Sequence, residues 1–180
     1  MEIKAYSINI PEGSLIHQEH KKIDYYDAFA VKVPSNLESP PEELIKLLLQ
    51  SFPVWGKVLL KIREKIALLM GLKTARGIDV KSQILTFTGQ PGESLALFHV
   101  KDRTDTEILT GENDKHLDFS LSIMGQPSHQ GFEITLATTV IFNNWLGRLY
   151  FFPVKPVHKL LVPTMLERMA KKLSEKNKEP

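Results

Sequence analysis

At 180 residues, with 42% apolar and 24% charged side chains, the chain has the composition of one soluble globular domain with a sizeable core. Its 23 basic and 21 acidic residues leave a net charge of +2, too near neutral to argue for nucleic acid, and no RNA- or DNA-binding signature accompanies it. The absence of cysteine removes disulfides, thiolate catalysis and cysteine-based metal or iron–sulfur sites, and fits a reducing cytoplasm.

The N-terminus, MEIKAYSINIPEG, has no basic start followed by an apolar run, so it does not read as a secretory signal. No apolar stretch is long enough to span a bilayer, and a cytoplasmic protein is expected. Residues 1–22, interrupted by Pro11 and Gly13, read as an arm or short strand. His17 and His20 have a spacing that would suit a metal on a helix. The segment lacks a helical apolar stripe, however, so two exposed histidines are expected.

The stretch DYYDAFAVKVP follows. Tyr25, Asp27, Phe29, Val31 and Val33 share one face and Tyr26, Ala28, Ala30 and Lys32 the other, which predicts a strand ended by Pro34. The small residues of the second face leave room for close packing. Ser39-Pro-Pro-Glu42 then predicts a helix start, with Ser39 as N-cap, Pro40 at the first helical position and Glu42 completing a capping box. Leu44, Leu47 and Leu48 give that helix its apolar side.

Pro53 breaks it, and a second helix is predicted from Val54 to Gly71, with Trp55, Leu59, Ile62, Ile66 and Leu69 in a stripe. Lys57, Lys61, Arg63, Glu64 and Lys65 surround the opposite side. A basic amphipathic helix of this kind either packs its stripe in a core or, as the sharper reading, lies on an anionic membrane or a partner protein through Trp55–Lys73.

From Gln83 onward short strands are predicted: Ile84–Thr88, Leu95–Lys101, Thr106–Thr110, Lys115–Met124 and Phe132–Phe142, with a turn at Gly111–Asp114. Leu117, Phe119, Leu121 and Ile123 alternate with His116, Asp118, Ser120, Ser122 and Met124, and Phe132, Ile134, Leu136, Val140 and Phe142 share a face with Thr138. Short loops between strands predict an antiparallel meander.

The last stretch, NNWLGRLYFFPVKPVHKLLVPTMLERMAKKL, carries a Gly near its start, three prolines and then a long amphipathic helix. At roughly 100° per residue, Val157, Leu161, Val162, Met165, Leu166, Met169 and Leu173 fall within one arc. His158 projects into it, while Lys159, Glu167 and Lys171 point away. Pro163 removes a backbone hydrogen bond and predicts a kink. The polar tail 174–180 is expected to fray. The whole predicts one α+β domain whose curved antiparallel sheet buries its concave face against the C-terminal helix.

His116, Asp118 and His158 spell H-x-D with a later His, the order of the facial triad of non-haem iron oxygenases. That triad belongs on a jelly roll, so no metal is expected. The strand's alternation turns His116 and Asp118 away from the core face unless a polar pocket lies there. No Ser-His-Asp set with a nucleophile elbow, no P-loop and no H-E-x-x-H is present, and Tyr150 and Lys155 lack the Y-x-x-x-K spacing of short-chain dehydrogenases.

Three stretches, DYYDAFAV (24–31), DKHLDFSLS (114–122) and TLATTVIFNNWLGRLYFFPVKPVHKLLVP (135–163), resemble the bacterial family known as domain of unknown function 2867. The likeness is most specific over 143–163, with Gly147, Arg148, Tyr150, Pro156 and His158. The order of elements resembles the helix-grip fold of START domains and the birch-pollen allergen, a curved sheet wrapped around a long C-terminal helix with two helices inserted after the first strand. The resemblance implies a fold more than a reaction, and it draws His116 and Asp118 toward the pocket, since HLDF is among the matching pieces. Some relatives carry the domain behind a Rossmann domain. This chain has no G-x-G-x-x-G, so no cofactor of its own is expected.

The expectation is a small apolar or amphipathic ligand in a cavity between sheet and C-terminal helix, with His116, Asp118, Tyr150, Lys155, His158, Leu161 and Met165 around it. An enzyme using His158 as acid or base, helped by Tyr150 or His116, is the alternative.

Overall fold

The computed structural model describes residues 3–18, 22–56, 64–65 and 79–176. Its strands are β1 (Tyr6–Ser7), β2 (Tyr25–Val33), β3 (Ser94–Leu95), β4 (Phe98–Arg103), β5 (Glu107–Asn113), β6 (Leu117–Ser128) and β7 (Gly131–Phe142). Helix α1 spans Pro41–Gln50, α2 Val80–Thr86 and α3 Trp145–Lys176. The strands form one curved antiparallel sheet in the order β1-β2-β7-β6-β5-β4-β3. The protein is thus α+β with a helix-grip-like arrangement, the long C-terminal helix lying across the sheet.

Sequence periodicity explains most of this. β3 to β7 form a meander because each loop is short, and β2 returns to pair with β7 from Tyr25↔Val140 to Val33↔Phe132. The β6–β7 hairpin turns through His129 and Gln130 alone. Gly131 closes it at a φ of 131°, where a Cβ would lie 2.3 Å from the carbonyl oxygen of Val33.

Both faces of the sheet are covered. On one, Val31, Val33, Ile123, Phe132, Ile134 and Leu136 pack against Val162, Met165, Leu166, Met169, Ala170 and Leu173 of α3, with Leu44, Ile45 and Leu48 of α1 at the side. On the other, the 3-10 turn Leu15–Gln18 lays Leu15 and Ile16 onto Ala28, Leu109 and Ala137. The room predicted on the small face of β2 is filled by the chain's own N-terminal arm. Glu107, buried on that face, accepts hydrogen bonds from Ser14 Oγ (2.5 Å), Leu15 N (3.0 Å) and Ser122 Oγ.

Several expectations are corrected. Ile84–Thr88 is not a strand. Asp79 Oδ1 accepts from the amides of Lys81 and Ser82 at 3.2 Å each, and this cap starts α2 in its place. Leu95–Lys101 is broken by a turn at Ala96, which has a φ of 58° and donates its amide to Gln83 Oε1 at 2.8 Å. Gly111 lies inside β5 opposite Ser120 rather than in a turn. Ser39 does not cap α1: its hydroxyl turns back to the Leu37 carbonyl at 3.3 Å, and Pro40 holds the cap position without a side-chain bond.

The C-terminal helix begins twelve residues before Val157, at Trp145, and carries Pro153, Pro156 and Pro163 within it. Asn144 caps it through Oδ1 to the Gly147 amide at 3.1 Å, and burial of Tyr150 and Phe151 holds the first turns despite the prolines. It runs through Ser174 to Lys176. The predicted second helix begins at Val54–Gly56, and Glu64 and Lys65 are helical. Its stripe residues Leu59, Ile62, Ile66 and Leu69 lie outside the described residues, as does His20. Among the described residues no helix is long and apolar enough to cross a membrane.

Candidate functional site

Alternation along β2 puts Tyr25, Asp27, Phe29, Val31 and Val33 on the face that α3 covers. Asp27 is the exception in an apolar series. Its register partner is Thr138 of β7, whose partner on β6 is Leu121. This row divides the apolar contents of that face in two. The main core lies under the second half of α3. A second cluster lies under the first half: Tyr25, Leu117, Val140, Tyr150 and Phe151, joined by Phe119, Phe142 and Val154.

His158 reaches the polar row from α3. Its Nε2 lies 3.2 Å from Asp27 Oδ1, with the imidazole 18% and the carboxylate 9% exposed. The second oxygen, Oδ2, accepts the Tyr25 hydroxyl. Asp27, which already accepts the phenol, is an acceptor toward the imidazole as well, so Nε2–H of His158 donates to it. The Tyr25 ring meets His158 edge-on at 6.3 Å and 82°, packs on Phe151 at 4.8 Å, and has the Lys155 ammonium 5.1 Å from its centre. Burial pushes the Tyr25 phenol well above the usual tyrosine value, and the hydrogen bond to Asp27 and that group's charge add to the rise. The Thr138 hydroxyl, facing α3 beside Asp27, is buried and makes no hydrogen bond among the described residues.

Of the residues expected from the sequence, Tyr150, Lys155 and His158 gather at this point. Met165 is buried in the main core, and Leu161 packs against that core rather than against the aromatic cluster. His116 and Asp118 serve a different contact, the start of α3. His116 Nδ1 lies 3.0 Å from Asn144 Nδ2, and Asp118 Oδ1 accepts from Asn143 Nδ2 at 3.0 Å and from the Asp114 amide at 3.1 Å. Among the described residues no group of three His, Asp or Glu side chains could hold a metal ion.

Sequence reasoning missed Tyr25, Asp27 and Thr138. The signal was present: an aspartate in phase with Phe29, Val31 and Val33 on a strand is a buried carboxylate that needs partners. The partners themselves were not legible, because His158 is 131 residues away. Also unforeseen is a polar chain on the far edge of the sheet, where Ser94 Oγ lies 2.6 Å from His99 Nδ1 and His99 Nε2 2.8 Å from Glu112 Oε2. Ser94 and His99 face each other across the β3–β4 hairpin, so the contact pins a two-residue strand.

No curated protein and no solved structure matches the chain. The model of one family, described as "Protein of unknown function (DUF2867)", matches residues 20–165, a span that includes β2, the whole meander and α3 as far as Met165. The chain belongs to the DUF2867 family of proteins of unknown function.

Proposed function

We propose that the protein binds a small apolar or amphipathic molecule between the sheet and the first half of α3, its polar end held by the Asp27–Thr138–His158 row. The observation that carries this reading is the His158–Asp27 contact of 3.2 Å set between two apolar clusters. Burying a carboxylate and an imidazole costs stability unless they are paired, and an apolar core fills the same space more cheaply. Thr138 adds an unsatisfied buried hydroxyl beside them, a group that an incoming polar atom satisfies. Lys155 at the border complements an anionic head group, and Tyr25, Phe142, Phe151 and Tyr150 offer aromatic surface to the apolar part. His116 and Asp118 act indirectly in this reading, by fixing where α3 starts. Leu161 and Met165 form the floor on the side of the main core.

The test is a thermal-shift and native mass-spectrometry screen with fatty acids, sterols and aromatic carboxylates. A ligand of this class should raise the melting temperature, and Asp27→Asn or His158→Gln should weaken its binding. No shift with any member and no copurifying molecule would remove the proposal.

A second reading is favoured by the carboxylate behind the imidazole. Asp27 fixes the tautomer of His158 and orients the ring, as a general base requires, and the neighbouring hydroxyls are those of Tyr25 and Thr138. Under this reading His158→Gln folds normally and abolishes turnover of whatever substrate is found. Turnover that persists in that variant assigns the chemistry elsewhere.

A further inference from the structure

α3 is apolar on two sides. Its inner face is spent on the sheet, yet Trp145, Leu149, Phe152 and Leu160 are 69, 58, 80 and 68% exposed, and Pro153 and Pro156 are exposed with them. At about 100° per residue these six fall within an arc of roughly 100°, a continuous outward stripe about 22 Å long. Soluble proteins rarely leave a row of Trp, Phe and Leu uncovered.

The charges along this stripe are of one sign. Arg148, Lys155 and Lys159, all exposed, line one border of it, and no Asp or Glu occurs from Trp145 to Leu166. Among the described residues, the acid paired with this border is Asp24, 3.7 Å from the Arg148 guanidinium. A second copy of the chain presenting the same face would bring three more cations and no acid within the stripe. A surface that offers a continuous apolar phase bordered by anions matches both features at once.

We infer that the outer face of α3, from Trp145 to Leu160, docks on an anionic lipid surface, with Trp145, Leu149, Phe152 and Leu160 in the acyl boundary and Arg148, Lys155 and Lys159 among the head-group phosphates. The helix lies in the plane of the interface, and the sheet stays on the aqueous side. The stripe is turned away from the Asp27–His158 row; Lys155 is the one residue shared with the ligand reading above, and the test variants at Phe152 and Lys159 leave it untouched.

The test is flotation of the full chain with vesicles of phosphatidylcholine and phosphatidylglycerol, against vesicles of phosphatidylcholine alone. A Trp55→Phe background leaves Trp145 as the one tryptophan, and its emission should shift to the blue on the anionic vesicles only. Lys159→Gln should weaken partitioning about fivefold, and Phe152→Ser at least tenfold, both with unchanged circular dichroism and melting temperature. Added salt should release the protein. Absence of binding, or equal binding to neutral vesicles, would overturn the inference. So would anionic-vesicle binding that survives both substitutions, since it would place the contact in the basic Trp55–Lys73 segment.

Discussion

His158 on α3 and Asp27 on β2 meet at 3.2 Å across 131 residues of chain. The contact exists only when the C-terminal helix has docked on β2, so it reports on completion of the fold. It also places an ionisable pair where the surrounding sequence supplies hydrocarbon.

Removing one partner should therefore cost more than removing both. Asp27→Ala strands the Tyr25 hydroxyl and the His158 ring and should lower stability by about 1–3 kcal/mol in urea unfolding. The double change Asp27→Val with His158→Leu should recover most of that loss, because an apolar pair of similar volume carries no desolvation cost. A double variant that is no better than Asp27→Ala would show the polar row to be a net stabiliser.

High pH should act through the two raised tyrosines. Tyr6 donates to Glu133 at 2.5 Å and is pushed up to about 12, by burial first and then by that hydrogen bond. Tyr25 is raised as well, for the corresponding reasons with Asp27. Each phenol holds its proton longer in the folded chain than in the unfolded one, where tyrosine titrates near 10. Their contribution to stability is thus complete below about pH 10 and declines as pH rises through the folded values. Phenolate absorbance, compared with Tyr6→Phe and Tyr25→Phe, measures each midpoint. Asp27→Asn should lower the Tyr25 midpoint but leave it above 10, since burial is its largest cause.

The entry of α3 depends on Gly147. A Cβ there would lie 2.0 Å from the carbonyl oxygen of His116, a backbone atom already accepting the Asn143 amide at 2.9 Å. Gly147→Ala should cost about 1–3 kcal/mol in thermal or urea unfolding, as other overpacked sites do. Gly13→Ala, with nothing within 4 Å, serves as the control and should leave stability nearly unchanged.

The arm is clasped through Glu107. Glu107→Ala leaves Ser14, Ser122 and the Leu15 amide without their acceptor in a buried place and should cost about 1–3 kcal/mol. Hydrogen exchange should locate the loss, with the amides of Ile8 and Leu15 opening early while those of β6 and β7 keep their protection. Loss of protection across the whole sheet would show that the arm is part of the cooperative core.

Periodicity made β2, β6 and β7 legible residue by residue, because a strand with one apolar face writes that face into every second position. Val31, Val33, Ile123, Ile134 and Leu136 all lie where their alternation puts them. The meander followed from short loops, and the apolar arc Leu161–Leu173 marked the second half of the closing helix. By contrast, Ile84–Thr88 has strand-like composition, yet Ile84–Thr86 close a helix that Asp79 caps and Phe87 ends, a single side chain outweighing a weak propensity. The first half of α3 was hidden by Pro153 and Pro156, which read as breakers until Tyr150 and Phe151 are seen buried against Tyr25 and Phe142.

By itself, then, the sequence determined the fold class, the strand alternation, the identity of the closing helix and the presence of His158 on its inner side. All of these depend on neighbours within a few residues, where spacing translates directly into geometry. Tertiary structure alone decided that Asp27 and Tyr25 are the partners of His158, that His116 and Asp118 belong to the start of α3, and that the N-terminal arm covers the second face of the sheet. Those outcomes depend on which distant segments meet, and no local spacing encodes the register at which two strands and a helix come to rest.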